Sequence, residues 1–83
     1  MSPLKAGARL KDARKRSGLS LRDVVRASQH LARQRRNLQF SISASMLSAV
    51  ENKGKTPGLY QLAALARIYR LSFRKVLSWY GVV

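Results

Sequence analysis

The sequence predicts an all-α domain in which five helices form one compact bundle. Apolar residues recur at helical spacing in five segments, and serine, glycine or proline separates each segment from the next. Hydrophobic residues make up 46% of the 83 residues and aromatic residues only 7%, a composition that favours one small aliphatic core. No internal repeat, low-complexity run or linker interrupts residues 1–83, so we expect a single domain.

The first two helices have clear start signals. Ser2-Pro3 begins the first helix, since proline is well placed at the first helical position, and Gly18 is suited to end it. The second helix begins after Ser20, where Asp23 three residues later completes a capping box. Its apolar spacing continues to about residue 33 or 34.

A loop over residues 35–41 is expected to lead into the third helix. Phe40 and Ile42 are its predicted anchors to the core. The third helix begins after the capping residue Ser43 and ends near Asn52. Its inward side chains are Met46, Leu47 and Val50.

Two short helices complete the predicted bundle. Gly58 is an acceptable cap for the fourth, whose inward residues are predicted to be Leu59, Leu62, Leu65, Ala66 and Tyr69. The fifth opens at Leu71-Ser72 and ends at Gly81, with an apolar set made of Phe73, Val76, Leu77 and either Trp79 or Tyr80. Both helices have the spacing of helices with one buried face.

Positive charge dominates the composition. Seventeen lysines and arginines oppose three acidic residues, which gives a formal charge of +14. Such an excess is typical of proteins that neutralise a polyanion, so nucleic acid is the expected partner, ahead of an anionic membrane surface or an acidic protein. With three acids, one histidine and no cysteine, the chain has little to offer acid–base or nucleophilic catalysis, and we do not expect an enzyme.

The same composition indicates a cellular compartment. The absence of cysteine suits a reducing cytoplasm, and no segment has the apolar length of a membrane span. The amino terminus lacks the continuous apolar stretch of a signal peptide. We therefore expect a cytoplasmic, nucleoid-associated protein with no membrane contact, metal, cofactor or small-molecule ligand.

Several short motifs occur in a known order along the chain: Gly18-Leu19-Ser20, Ile42-Ser43, Leu47-Ser48-Ala49-Val50-Glu51-Asn52, Pro57, and Leu62-Ala63-Ala64-Leu65-Ala66. In this order they resemble the Cro/C1-type helix-turn-helix family, the xenobiotic-response-element-like repressors of bacteria and phages. The resemblance covers residues 6–77. It implies a lambda-repressor-like bundle, with a motif at about 20–53 whose third helix enters the major groove of double-stranded DNA.

The resemblance also implies roles on the third helix. Ser43 would cap this recognition helix, with the first-turn amides facing a phosphate. The positions that read bases in the family carry small side chains here: Ala44, Ser45, Ala49 and, on the neighbouring outer face, Ser48. Because such residues discriminate bases weakly, two alternatives stay open: deep insertion with readout of DNA shape, or base reading by Asn52, Lys53 and the basic segment before the helix. We expect weak direct readout with strong phosphate binding.

A structural ion pair is a further implication of the resemblance. Glu51 matches the family's acidic residue that pairs with an arginine of the first helix, and Arg14 stands at the matching position. The pair would lock the recognition helix to the first helix, so its expected role is in folding rather than in DNA contact.

The chain departs from the family between the two helices of the motif. The segment from Ser20 to Ser43 is about a dozen residues longer than the short turn that usually joins such helices. The excess forms an insertion at about 29–41, either a functional basic element or a lengthened second helix with a solvated basic end. The family's phosphate-touching glutamine is replaced by Leu21, which would pass that contact to Arg22.

Six basic residues around the predicted motif are the expected phosphate contacts: Arg22, Arg33, Arg35, Arg36, Lys53 and Lys55. The sequence thus predicts a sequence-specific or weakly specific DNA-binding transcriptional regulator of the repressor type. The alternative is a protein-interaction module, such as an antitoxin or an adaptor, because a small-residue face also suits helix-on-helix contact. A further hypothesis is a homodimer formed through the C-terminal tail, by Trp79, Tyr80, Val82 and Val83.

Overall fold

Five α-helices build the fold of the computed structural model, which describes residues 1–83 and contains no strand. In chain order they are α1 (Pro3–Arg16), α2 (Leu21–Arg35), α3 (Ala44–Lys53), α4 (Leu59–Ile68) and α5 (Phe73–Trp79). A 3-10 helix, Leu38–Phe40, lies between α2 and α3. The predicted all-α bundle of five helices is therefore confirmed.

Serine hydroxyls start most of these helices. In α1, α2, α3 and α5 the hydroxyl of the capping serine accepts a hydrogen bond from the backbone amide three residues later. The predicted capping box of α2 is present, since the amide of Ser20 also donates to the carboxylate of Asp23 over 2.8 Å. This backbone hydrogen bond, followed by the one with the Ser20 side chain, lowers the pKa of Asp23 below its ordinary value.

The insertion is more ordered than the loop predicted for residues 35–41. Helix α2 continues to Arg35, and Arg36 ends it in the left-handed conformation with a φ of 50°. The hydroxyl of the buried Ser28, in the middle of α2, accepts the amide hydrogen of Ile42 over 3.0 Å. Ile42 is thus the anchor that the sequence predicts, and the last two turns of α2 extend past the point where the chain enters α3.

The core lies where α1 packs against α3 and α4 packs against α2 and α5. Its twelve buried residues come from every α-helix, from the segment before α3 and from the residue that caps the end of α4: Ala6, Leu10, Val24, Ile42, Leu47, Val50, Leu62, Leu65, Ala66, Tyr69, Val76 and Trp79. Of the two alternatives at the end of α5, Trp79 is the buried residue and Tyr80 packs against the cluster from a half-buried position.

Three apolar residues that the sequence predicts to face the core lie outside it. Leu59 is 59% exposed because it is the first residue of α4 and projects beyond the edge of the core that the later residues of its stripe reach. Phe40 is only half-buried and packs edge-to-face against Tyr60, with ring centroids 5.1 Å apart, instead of entering the core. Phe73 of the apolar set in α5 is also 37% exposed. These residues place apolar surface outside the bundle.

Candidate nucleic-acid interface

The outer face of α3 is made of small side chains. Ala44 and Ser45 are exposed, and Ser48 and Ala49 are half-buried, while Leu47 and Val50 point into the core. At the amino end, the hydroxyl of Ser43 accepts from the amide of Met46 over 3.1 Å. The amides of the two residues after Ser43 have no acceptor within the helix, as is usual for a first turn, so they remain available to an anion.

The back of α3 lies unusually close to α1. Gly7 is buried, and a β-carbon added to it would overlap the carbonyl oxygen of Val50 and lie 3.5 Å from the α-carbon of Glu51. Only glycine permits this approach of one helix backbone to the other. The contact fixes the depth at which α3 sits against α1.

An ion pair fixes the same interface two turns further along α1, at the residue of α3 that follows Val50. Arg14 Nε donates to Glu51 Oε2 over 2.8 Å, and Arg14 Nη2 donates to Glu51 Oε1 over 3.1 Å. The third arm of the guanidinium, Nη1, donates to the carbonyl oxygen of Leu19 over 2.9 Å. The pair that the resemblance implies is therefore present, and it joins α1, α3 and the turn before α2.

The pair is buried, which makes it a structural element rather than a surface contact. Arg14 retains 9% of its exposure and Glu51 only 3%. The side-chain hydrogen bond with Glu51 raises the pKa of Arg14 above its ordinary value, against the desolvation that lowers it. A bidentate, charge-assisted contact of this kind holds its two helices in one orientation.

Asn52 is already engaged within the protein. Its Oδ1 accepts from Lys11 Nζ over 2.7 Å, and its Nδ2 donates to the carbonyl oxygen of Ser48 over 3.1 Å. These internal contacts compete with base reading by the same amide. The contact also brings the ammonium group of Lys11 to the edge of the small-residue face.

The sequence analysis did not identify Gly7 and Lys11 as residues that contact α3, although their spacing along α1 indicates it. They lie seven and three residues before Arg14, the residue expected to pair with α3, so all three share one face of α1. A glycine inside an otherwise helical segment is a further sign of close backbone approach.

The predicted phosphate contacts form two groups. Arg22 lies in the first turn of α2, and Lys53 and Lys55 flank the left-handed Gly54 that ends α3; all of them are exposed. Arg33, Arg35 and Arg36 are also exposed but lie at the far end of α2, about 16 Å along the helix axis from Arg22. The structure therefore places Arg22 at the start of α2 and Lys53 and Lys55 at the end of α3, and it keeps the three arginines at the far end of α2 apart from Arg22.

No family model, curated protein or solved structure matches this chain. None of the helices has the length and apolar character needed to cross a membrane. No group of three or more histidine, cysteine, aspartate or glutamate side chains lies together in a way that would hold a metal ion.

The C-terminal tail divides into a buried part and an exposed part. Trp79 is 9% exposed and lies under the guanidinium of Arg9, whose Cζ is 5.7 Å from the ring centroid. Val82 and Val83 are 60% and 62% exposed. Of the four tail residues predicted for a homodimer, Trp79 therefore serves the core, and the dimer stays a prediction.

Proposed function

We propose that this chain binds double-stranded DNA through the outer face of α3 and acts as a repressor-like transcriptional regulator. The observation that carries the proposal is the combination of a small-residue face on α3 with a rigid attachment of its opposite face. Gly7 and the Arg14–Glu51 pair fix that opposite face against α1. A helix held in this way can enter a groove without adjusting its position, which lowers the cost of binding.

Charge supports the same proposal. All three carboxylates are engaged within the protein: Asp12 with Arg16, Asp23 in the capping box and Glu51 with Arg14. None of them lies on the outer face of α3, where it would repel a phosphate backbone. If about five to seven phosphates are neutralised, the logarithm of the association constant should fall with the logarithm of the salt concentration at a slope of about −5 to −6.

The deciding experiment is fluorescence anisotropy of the protein on a labelled duplex across a salt series, with tRNA and a single strand as competitors. The variant Ser45→Glu places a carboxylate on the exposed first turn of α3, where it also suits the helix dipole. It is expected to weaken duplex binding by more than about tenfold without lowering the melting temperature. The matched control Ser78→Glu makes the same charge change on α5.

Three results would contradict the proposal. These are no duplex binding at low salt, a slope shallower than about −2, or equal effects of Ser45→Glu and Ser78→Glu. Preference for tRNA over the duplex would assign the same basic surface to RNA.

One observation favours a second candidate, a protein-interaction module such as an antitoxin or an adaptor. Leu38 and Leu59 are 82% and 59% exposed, and Tyr60 is 42% exposed beside Phe40. Together they place apolar and aromatic surface on the 3-10 helix and on the first turn of α4, where protein partners commonly bind. If duplex binding is absent at low salt, this candidate replaces the DNA proposal.

A further inference from the structure

A cationic cleft lies between α1 and α5, outside the surface assigned to DNA. It has a volume of about 150 Å³, and Leu71 and Trp79 contribute its apolar wall. Three basic side chains, Arg9, Arg16 and Lys75, line the cleft together with one acidic residue, Asp12. The charges of these four side chains add to +2 around a space large enough for a small molecule.

The cleft faces away from α3. Gly7, Lys11 and Arg14 lie on the face of α1 that contacts α3. Arg9 follows Gly7 by two residues and Arg16 follows Arg14 by two, which places each side chain about 200° round the helix from that face. Helix α5, which supplies Lys75, packs against α1 and α4. The cleft and the small-residue face therefore lie on opposite sides of α1.

The cations of the cleft have few acceptors within the protein. Neither of the two ion pairs of the chain involves Arg9 or Lys75. Arg16 Nη2 lies 2.9 Å from Asp12 Oδ2, but the two side chains are 80% and 59% exposed, and an exposed pair of this kind contributes little. A dianion entering the cleft would meet three cations and displace at most one weak contact.

We propose that this cleft binds a phosphate group. Lys75 and Arg9 would neutralise its negative charge, and the guanidinium of Arg16 would donate two parallel hydrogen bonds to its oxygens. The cleft is suited to a phosphate and not to a nucleobase, because the guanidinium of Arg9 already covers the indole face of Trp79 on which a base would stack. The inference goes beyond the proposed function, since it uses no residue of α3. The phosphate belongs either to a free phosphate compound or to the backbone of a second nucleic-acid strand.

Trp79 provides the test, because it is the only tryptophan of the chain and lines the cleft. Titration of the intact protein with inorganic phosphate, at constant ionic strength held by chloride, is expected to change its emission saturably. Lys75→Ala and Arg16→Ala should each raise the Kd roughly tenfold. Asp12→Asn should lower the Kd, since it removes the one repelling charge and releases Arg16.

Arg67→Ala is the matched control, since it removes one exposed positive charge from α4 outside the cleft. It should titrate like the parent, which separates the cleft from the general attraction of a +14 protein for anions. Thermal melting checks that every variant is folded. The proposal is overturned if phosphate acts no differently from chloride, or if Lys75→Ala and Arg67→Ala behave alike.

A second arm identifies the source of the phosphate. The protein is bound to a duplex immobilised on beads, and a labelled free duplex is then added. Retention of the free duplex by the parent, reduced in Lys75→Ala, assigns the cleft to a second nucleic-acid strand. Saturable phosphate binding without retention assigns it to a free phosphate compound. Failure of α3 to bind DNA leaves the fluorescence test intact, so the two proposals fail separately.

Discussion

The carbonyl oxygen of Val50 occupies the space in which any β-carbon on residue 7 would lie, so Gly7 and Val50 bring the backbones of α1 and α3 into direct contact. Helix propensity alone makes glycine unfavourable inside α1 by about 1 kcal/mol relative to alanine. The packing of the two helices therefore opposes the local preference of the chain at this position.

Gly7→Ala is accordingly expected to destabilise the protein, although alanine is the better helix former. Forcing the helices apart should lower the free energy of unfolding by about 2–3 kcal/mol, measured by urea titration. The control Ala8→Gly, at an exposed position of the same helix, should cost only the propensity difference of about 1 kcal/mol. A Gly7→Ala variant that melts above the parent would refute the close contact.

The buried pair of Arg14 and Glu51 predicts a second, larger effect. Glu51→Ala leaves the guanidinium buried without its partner and should cost about 3–5 kcal/mol. Asp12→Ala, which breaks the exposed pair with Arg16, should cost less than about 1 kcal/mol. If the two variants have equal urea midpoints, the pair does not lock the helices.

Lys11→Met tests the role of the ammonium group held beside α3. If Lys11 contacts a phosphate, its loss should weaken duplex binding and make the salt slope shallower by about one. Arg74→Met on α5 removes a charge elsewhere and should change the slope less. Tighter binding by Lys11→Met would instead mean that releasing Asn52 matters more than the lost charge, and would assign base reading to Asn52.

Two tyrosines with buried hydroxyl groups, Tyr69 and Tyr80, predict a dependence of stability on alkaline pH. Burial raises the pKa of Tyr80 to about 12, and burial and then the charge of Glu51 raise that of Tyr69 further. Both pKa values in the folded protein exceed the value of about 10 in the unfolded chain. The unfolded state therefore loses these protons first, so the contribution of the two tyrosines to the free energy of unfolding is complete below pH 10 and is lost as the pH rises above it. In urea titrations at a series of pH values, Tyr80→Phe should show a smaller decrease in the free energy of unfolding above pH 10 than the parent.

At neutral pH the same tyrosines carry an unsatisfied polar atom each. Neither hydroxyl has a hydrogen-bond partner although both oxygens are buried. Tyr69→Phe should therefore leave the free energy of unfolding unchanged or raise it by about 1 kcal/mol. Tyr60→Phe, at a residue that is 42% exposed, is the control and should alter neither the neutral value nor the pH profile. A loss of stability in Tyr69→Phe would show that its hydroxyl is satisfied.

The insertion arginines can be tested without loss of folding. Arg36→Gly should raise the free energy of unfolding by about 1 kcal/mol, because glycine adopts the left-handed conformation of this residue without strain. Combining it with Arg33→Ala and Arg35→Ala removes three exposed charges from the end of α2. Weaker duplex binding by this stable variant would assign a DNA contact to the insertion, and unchanged binding would leave it a solvated helix end.

Local signals in the sequence were enough to predict the helices. The serine caps and the Ser20–Asp23 box each depend on residues within one turn, and the buried stripe of α4 repeats at a regular spacing. The positions that failed depend on distant parts of the chain. Leu59 continues its stripe but lies beyond the edge of the core, and Phe40 finds Tyr60 instead of the interior.

The candidate site was predictable to a similar degree. The small outer face of α3 follows from its periodicity, and the Arg14–Glu51 pair follows from the resemblance to a family. The contact between Lys11 and Asn52 joins residues 41 positions apart, and only the packing of α1 on α3 brings them together. The cleft beside Trp79 likewise needs α5 to return to α1, which no local pattern specifies.

The engagement of every carboxylate has a consequence for how the molecule exists in solution. With each of its three acids committed to an internal partner, the chain has no means of balancing its remaining fourteen positive charges by itself. Their mutual repulsion is relieved only by mobile anions gathered from the medium. The electrically neutral species in solution is therefore the protein together with its bound counterions. Any polyanion that binds the protein must displace these counterions.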